Sequence, residues 1–218
     1  MTASGESIFF KSGALRLEGR LRLAPGPDAV VISHPHPLYG GELDNPVVVT
    51  LAKVYQRLGY STLRFNFRGV GASEGAYDNG RGEQDDLRAA AGVLVDLGKT
   101  VTDLTGYSFG AWITLSLDPQ RPAVRRLVLV APPVAYMEFD TLPPSSAAEL
   151  VVISGDCDSF APLNLLRKQI PFWHPAARLH VLPGADHFYQ DALGRLASLM
   201  EAVLTGTLER EGLQSPDV

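Results

Sequence analysis

Residues 106–110 read Gly-Tyr-Ser-Phe-Gly. A serine flanked by glycines at this spacing suits a sharp turn from a strand into a helix, because a strand and helix that cross so closely leave no room for side chains. Such a turn lifts the Ser108 hydroxyl clear of the backbone as a nucleophile. The next N–H, from Phe109, would face a developing oxyanion, with the positive end of the helix dipole behind it. Five residues with three fixed recur by chance, so the context carries the weight. A strand-like run, 101–106, leads straight into the turn, and Ala111, Trp112, Ile113 and Leu115 follow in a helical pattern. An ordinary glycine-rich turn is the plain alternative.

A serine hydroxyl needs a base. The chain holds His34, His36, His174, His180 and His187. His180 sits inside a predicted strand and His174 beside Pro175, and neither has further support. His187 follows the last predicted strand, in the run 182–188 (LPGADHF). That places it beyond a strand's carboxyl end, where open parallel sheets build their sites, and makes it the candidate base. In sites built on such a turn the orienting acid falls between serine and histidine in the chain. The loop 155–162 (GDCDSFAP) offers Asp156 and Asp158, and the residues alone leave both open. Cys157, between them, is read as a bystander.

Two loops could complete or rival this site. Residues 34–41 (HPHPLYGG) follow the predicted strand 29–33 and are placed to give a second oxyanion donor. Pro35 and Pro37 have no N–H and can only stiffen the loop. His36, Leu38 and Tyr39 remain, with Leu38 the favoured donor. Two histidines at i, i+2 also suit a metal, but no third ligand is evident and none is expected. Residues 68–75 (RGVGASEG) follow the predicted strand 61–67, as a dinucleotide fingerprint would. The third glycine position holds Glu74, however, and more loop follows through Gly82. No G-K-[ST] is present, which excludes a P-loop. No cofactor is expected. The segment reads as a loop walling the site, or as a purely structural one.

These residues need a scaffold that brings distant loops to one edge. Segment 15–23 alternates apolar and polar residues and can pair with 7–10 as an antiparallel opening. The runs 29–33, 61–67, 101–106, 126–131, 149–154 and 178–182 are short and rich in branched residues. Several are apolar at successive positions, as parallel strands covered on both faces are. Asn45-Pro46 reads as an N-cap and first helical residue. Val47, Leu51, Val54 and Leu58 then repeat at helical spacing up to Gly59, and Leu87, Ala90, Leu94 and Leu97 repeat it again. Glu83, Asp85 and Asp86 favour the start of this second helix. Further helices are expected over 109–117, 162–170 and 190–205. The fold class is α/β: a mostly parallel twisted sheet, helices on both faces and antiparallel N-terminal strands. Residues 1–206 read as one domain and 207–218 as a polar tail.

Composition sets the outer limits. A chain of 218 residues with 45% apolar and 20% charged content suits one buried core. The net charge of −5, with no Lys/Arg block, argues against nucleic-acid and membrane partners. One cysteine excludes an internal disulfide. With no signal-like N-terminus and no apolar run near ~18 residues, a cytoplasmic location is the expectation. The oligomeric state is not specified.

Taken together, the motifs resemble the α/β-hydrolase superfamily over about residues 7–205. More narrowly, the chain is similar to small lidless bacterial serine hydrolases with an HPHPLYGG-type loop, an NFRGVGxSEG-type segment and a GYSFGA elbow. Here these stand at His34–Gly41, Asn66–Gly75 and Gly106–Ala111. The resemblance implies the α/β-hydrolase fold, a Ser108–His187–acid triad and carboxylesterase-like activity on a small-molecule ester. In related hydrolases the acid is often the third residue after the loop glycine. Gly155 to Asp158 fits, with Phe160 and Pro162 following, so the resemblance assigns Asp158. Many members insert a helical lid between the strands that here read as 126–131 and 149–154. Only about 17 residues intervene, too few for a lid, and an open site is expected. Tyr39, Tyr136, Phe160 and Phe188 are candidate substrate-pocket residues, with Trp112, Met137 and Phe139 behind them. For most of these a core position is an equal reading. Serine at the elbow argues against dehalogenase chemistry, which uses a carboxylate there, and against dienelactone-hydrolase chemistry, which uses cysteine. The expected function is ester hydrolysis through an acyl-enzyme on Ser108. Thioesterase or peptidase activity on the same triad is the alternative, and a non-catalytic binding protein on this scaffold a remoter one.

Overall fold

Continuously apolar strands can be buried on both faces only if helices cover both, and that is the arrangement found. The computed structural model describes residues 5–117, 124–139 and 149–207. Its strands are β1 (Glu6–Ser12), β2 (Leu15–Arg22), β3 (Asp28–Ser33), β4 (Ser61–Phe65), β5 (Thr100–Tyr107), β6 (Arg126–Val130), β7 (Glu149–Gly155) and β8 (Arg178–Leu182). Its helices are α1 (Pro46–Arg57), α2 (Arg81–Asp96), α3 (Phe109–Ser116), α4 (Leu163–Trp173) and α5 (Leu193–Thr205). The strands form one sheet in the order β1-β2-β4-β3-β5-β6-β7-β8. β1 pairs antiparallel with β2, and β2 with β4. Every other pairing is parallel.

The period of two along each strand splits the core into two layers. Val30 and Ile32 of β3 join Val128, Val130, Val151 and Ile153 under α1 and α5. Ala29 and Val31 join Leu104, Leu129 and Val152 under α2, α3 and α4. α1 starts as the sequence indicates: the Asn45 side chain accepts from Val47 N at 2.9 Å, with Pro46 in the first turn. Its Val47, Leu51 and Val54 are fully buried, each worth roughly 1.5–3 kcal/mol.

Two boundaries differ from the sequence reading, for local reasons. The strand expected over 61–67 ends at Phe65, because Phe67 N donates to the His34 side chain, at Nε2, across 3.0 Å. The glycine-rich loop ends at Gly80 rather than Gly82. Gly80, at φ 87°, is the N-cap of α2, and the Glu83 carboxylate accepts from both Asp78 N and Gly80 N at 2.8 Å. The tail beyond Thr207 and residues 140–148 of the β6–β7 connection lie outside the described residues. No helix among the described residues is long and apolar enough to cross a membrane. The β6–β7 connection spans only residues 131–148, too short for a lid domain.

Candidate active site

The site is built at the carboxyl edge of the sheet by the loops after β3, β5, β6, β7 and β8. The turn from β5 into α3 shows why its motif has the form it has. A Cβ on Gly106 would lie 2.1 Å from Gly110 O, and one on Gly110 would lie 2.6 Å from Ser33 O. Neither position tolerates a side chain. Ser108, between them, is held at φ 54° and ψ −118°, a backbone state costing roughly 1–3 kcal/mol. Its N–H donates to Val130 O at 2.9 Å, which ties the turn to β6.

The structure brings Ser108, His187 and Asp158 into one hydrogen-bonded chain. Ser108 Oγ lies 3.0 Å from His187 Nε2, and His187 Nδ1 lies 2.8 Å from Asp158 Oδ2. An ionised carboxylate only accepts, so Nδ1 carries the ring proton and Nε2 is left to accept from the hydroxyl. All three residues are buried. The second carboxylate oxygen, Asp158 Oδ1, accepts from Phe160 N at 2.8 Å and Ala161 N at 2.9 Å. Asp156 does something else. It is exposed, and its Oδ1 accepts from Gly184 N at 2.6 Å, stitching the β7 loop to the β8 loop.

Three features hold His187 in place, and of these the sequence reading singled out only Gly155, as the glycine from which the acid is counted. Gly155 lets the two loops touch, since a Cβ there would meet Ala185 O at 1.9 Å. Asp186 Oδ1 accepts from Phe188 N and Tyr189 N, closing a turn around His187. Tyr107, beside Ser108, donates its buried hydroxyl to His187 O at 2.8 Å. Burial raises the Tyr107 phenol well above its ordinary value, with the charges of Asp158 and Asp186 adding to the effect, so it stays a donor. Only the glycine at a strand end carried a signal; Tyr107 occupies a variable position of the motif.

The oxyanion side corrects one expectation. Phe109 N, at the first turn of α3, has no acceptor among the described residues. Leu38 N, favoured from the sequence as the second donor, is already engaged by His36 Nδ1 at 3.2 Å. The reason is turn chemistry: Pro37–Tyr39 form one 3₁₀ turn, and the His36 side chain caps it. Tyr39 N and Gly41 N both donate to His36 O, at 3.1 and 3.0 Å. Of the three candidates only His36 N is left without an acceptor among the described residues. The neighbouring His34 is a structural group. Its Nδ1 donates to Pro35 O at 2.6 Å and its Nε2 accepts from Phe67 N, so neither nitrogen is open to a metal.

The aromatic candidates separate into two sets. Phe139 stacks on Trp173 at 4.8 Å in the core, and Met137 packs against the same core. Trp112 packs on Phe109 and donates to Glu138 O at 2.9 Å. Tyr39, Tyr136 and Phe188 are exposed, at 85%, 71% and 56%, and Phe160 is half-buried. These four line an open rim rather than a closed pocket. From the glycine-rich loop, Tyr77 reaches His36 and Phe109, at 4.9 and 5.9 Å. The rest of that loop is bound to β2 through Glu18, Ser73 and Glu74, which is a structural role.

No family model matches the chain. It is 36% identical over 197 residues to an uncharacterised protein of Rickettsia prowazekii (strain Madrid E), covering 84% of this chain and 82% of that one. Among solved structures it is similar to an α/β serine hydrolase homologue from Coxiella burnetii. That similarity has 35% identity and a TM-score of 0.83, over 91% of this chain and 97% of the other. It is also similar to a serine hydrolase without a lid from Xanthomonas campestris, with 28% identity and a TM-score of 0.82 over 99% of both chains. The sheet order, the strained serine turn and these similarities agree: the chain belongs to the lidless α/β serine hydrolases.

Proposed function

We propose that the protein is a serine esterase that cleaves small-molecule carboxylic esters through an acyl-enzyme on Ser108. The observation that carries this reading is the pair of contacts made by His187, 3.0 Å to Ser108 Oγ and 2.8 Å to Asp158 Oδ2. Ser108 Oγ attacks the ester carbonyl while its proton passes to His187 Nε2. Asp158 keeps the ring in the needed tautomer and stabilises the imidazolium; its own two N–H partners keep it fixed. The N–H groups of Phe109 and His36, rather than Leu38, receive the oxyanion, and the positive end of α3 adds to them. The leaving alcohol departs with the proton from His187. Water, deprotonated by the same imidazole, then releases the acid and restores Ser108.

The open rim gives substrate direct access, without the opening of a lid. A chain with one cysteine suits a reducing compartment, and we read the enzyme as cytoplasmic, with a small-molecule partner and neither nucleic acid nor membrane. A fluorophosphonate probe tests the nucleophile: wild type labels, and Ser108→Ala does not. p-Nitrophenyl esters of increasing chain length, set against acyl-CoA thioesters, test the substrate class. Faster turnover of the thioesters overturns the esterase reading.

A further inference from the structure

We propose that Tyr136, Phe160 and Phe188 form the subsite for the leaving alcohol, and that the preferred alcohol is an uncharged aromatic one. The proposal rests on the esterase reading above and specifies its substrate.

The chemistry fixes where the alcohol must lie. When the tetrahedral intermediate collapses, the bond from the carbonyl carbon to the alcohol oxygen breaks. Its electron pair stays on that oxygen, which takes the proton from His187 Nε2, and the acyl group stays on Ser108 Oγ. Proton transfer needs roughly 2.6–3.2 Å between heavy atoms. The first atoms of the alcohol therefore lie against the His187 ring.

The surroundings of that ring are aromatic. Phe160 stacks on it at 4.4 Å with an interplanar angle of 22°. Phe188 stands edge-on to it at 5.6 Å and 86°. Tyr136 extends the surface outward, 5.1 Å from Phe160. The two outer rings are exposed, Tyr136 by 71% and Phe188 by 56%, although burial of such rings is strongly favourable. Sheet order separates this group from the other aromatic group of the site. Tyr136, Phe160 and Phe188 rise from the loops after β6, β7 and β8, on one side of β5. His36 and Tyr39 follow β3, on the other side, with the oxyanion donors.

Charge decides which alcohol fits. Segments 131–139, 155–162 and 183–192 contain Glu138, Asp156, Asp158, Asp186 and Asp191 and no lysine or arginine. Arg195, from α5, contacts the base of the last of these loops at Pro183 O. A polyanionic leaving group such as a nucleotide-bearing thiol meets acidic loops here, whereas a neutral flat ring meets a stacking surface.

Acetate esters of matched alcohols test this. Benzyl and cyclohexylmethyl acetate share size and release alcohols of similar acidity, so aromaticity is what separates them. We expect kcat/KM to favour benzyl acetate about three- to tenfold, the range that stacking supplies. In Tyr136→Ala and Phe188→Ala that ratio falls toward one. The ratio is internal to each sample and does not depend on the fraction folded. Wild type that labels at Ser108 and hydrolyses both esters at equal kcat/KM overturns the subsite. So does a ratio that both substitutions leave unchanged. Failure of Ser108 to label is a different outcome, which overturns the esterase reading beneath.

Discussion

The Tyr107 hydroxyl donates to the carbonyl oxygen of His187 across 2.8 Å, although the two residues are 80 positions apart. This bond joins the strand that leads into Ser108 to the loop that carries the imidazole. The distance between Ser108 and His187 is thus held through backbone as well as through their own contact. Tyr107→Phe keeps the ring and removes only the donor. It leaves a buried carbonyl short of a partner, at a cost of about 1–3 kcal/mol, and kcat falls about five- to tenfold with KM little changed. Steady-state kinetics normalised to fluorophosphonate-labelled enzyme measures this. An unchanged kcat with only a lowered melting temperature restricts Tyr107 to stability.

The two carboxylates of the β7 loop separate by function. Asp158→Asn lowers kcat by about 10³–10⁴-fold, because an amide in that place no longer enforces the tautomer. Asp156→Asn weakens the contact to Gly184 N and lowers stability by about 1 kcal/mol, with kcat within about threefold of wild type. Parallel kinetics and urea denaturation of the two variants measure both effects. A crippled Asp156→Asn beside a near-normal Asp158→Asn reverses the assignment.

What the sequence disclosed follows from how local each constraint is. The Ser108 turn was legible because its glycines answer a clash within five residues, Gly106 against Gly110 O. His187 was legible from its place after a strand. The choice between Asp156 and Asp158 was not, since both lie on one loop and differ only in the direction the turn gives them. Family resemblance selected Asp158; the residues did not. Leu38 was misjudged because the His36 side chain caps the turn that follows it and takes the Leu38 N–H. The end of β4 was misplaced because His34 draws Phe67 N out of the sheet. Both misreadings come from a histidine nitrogen competing for a backbone donor.

Gly155 offers a test of assembly rather than of chemistry. A methyl group at this position meets Ala185 O at 1.9 Å, and two backbones must part to admit it. Asp158 and His187 sit on the two loops so separated. Gly155→Ala destabilises the protein by about 2 kcal/mol or more and lowers kcat by about 10²-fold, since displacements near 1 Å are costly at such a site. The crystal structure of the variant, with the distance from His187 Nδ1 to Asp158 Oδ2, is the measurement. An unchanged 2.8 Å contact with reduced activity places the effect elsewhere.

His34 couples the fold to pH. Burial lowers its pKa to about 4, against 6.5 for an ordinary histidine, and the nearby His36 adds to the lowering while the Pro35 carbonyl opposes it. Above pH 6.5 the ring is neutral in both folded and unfolded chains, and it contributes no pH dependence. Below pH 6.5 the unfolded chain takes up a proton that the folded protein refuses. Stability therefore falls as pH falls, down to about pH 4, where the folded protein is protonated as well. The loss over that window is about 3 kcal/mol. It reflects burial of the ring and one contact that needs the neutral form, the bare Nε2 accepting from Phe67 N–H; Nδ1–H can donate to Pro35 O in either form. His34→Gln keeps a side-chain acceptor and a donor but cannot titrate. Its unfolding free energy, lower than wild type at pH 7, changes less between pH 7 and pH 4, and the two curves converge. Urea denaturation at pH 7, 6, 5 and 4 checks this, and curves that stay parallel through that range rule out His34 as the source.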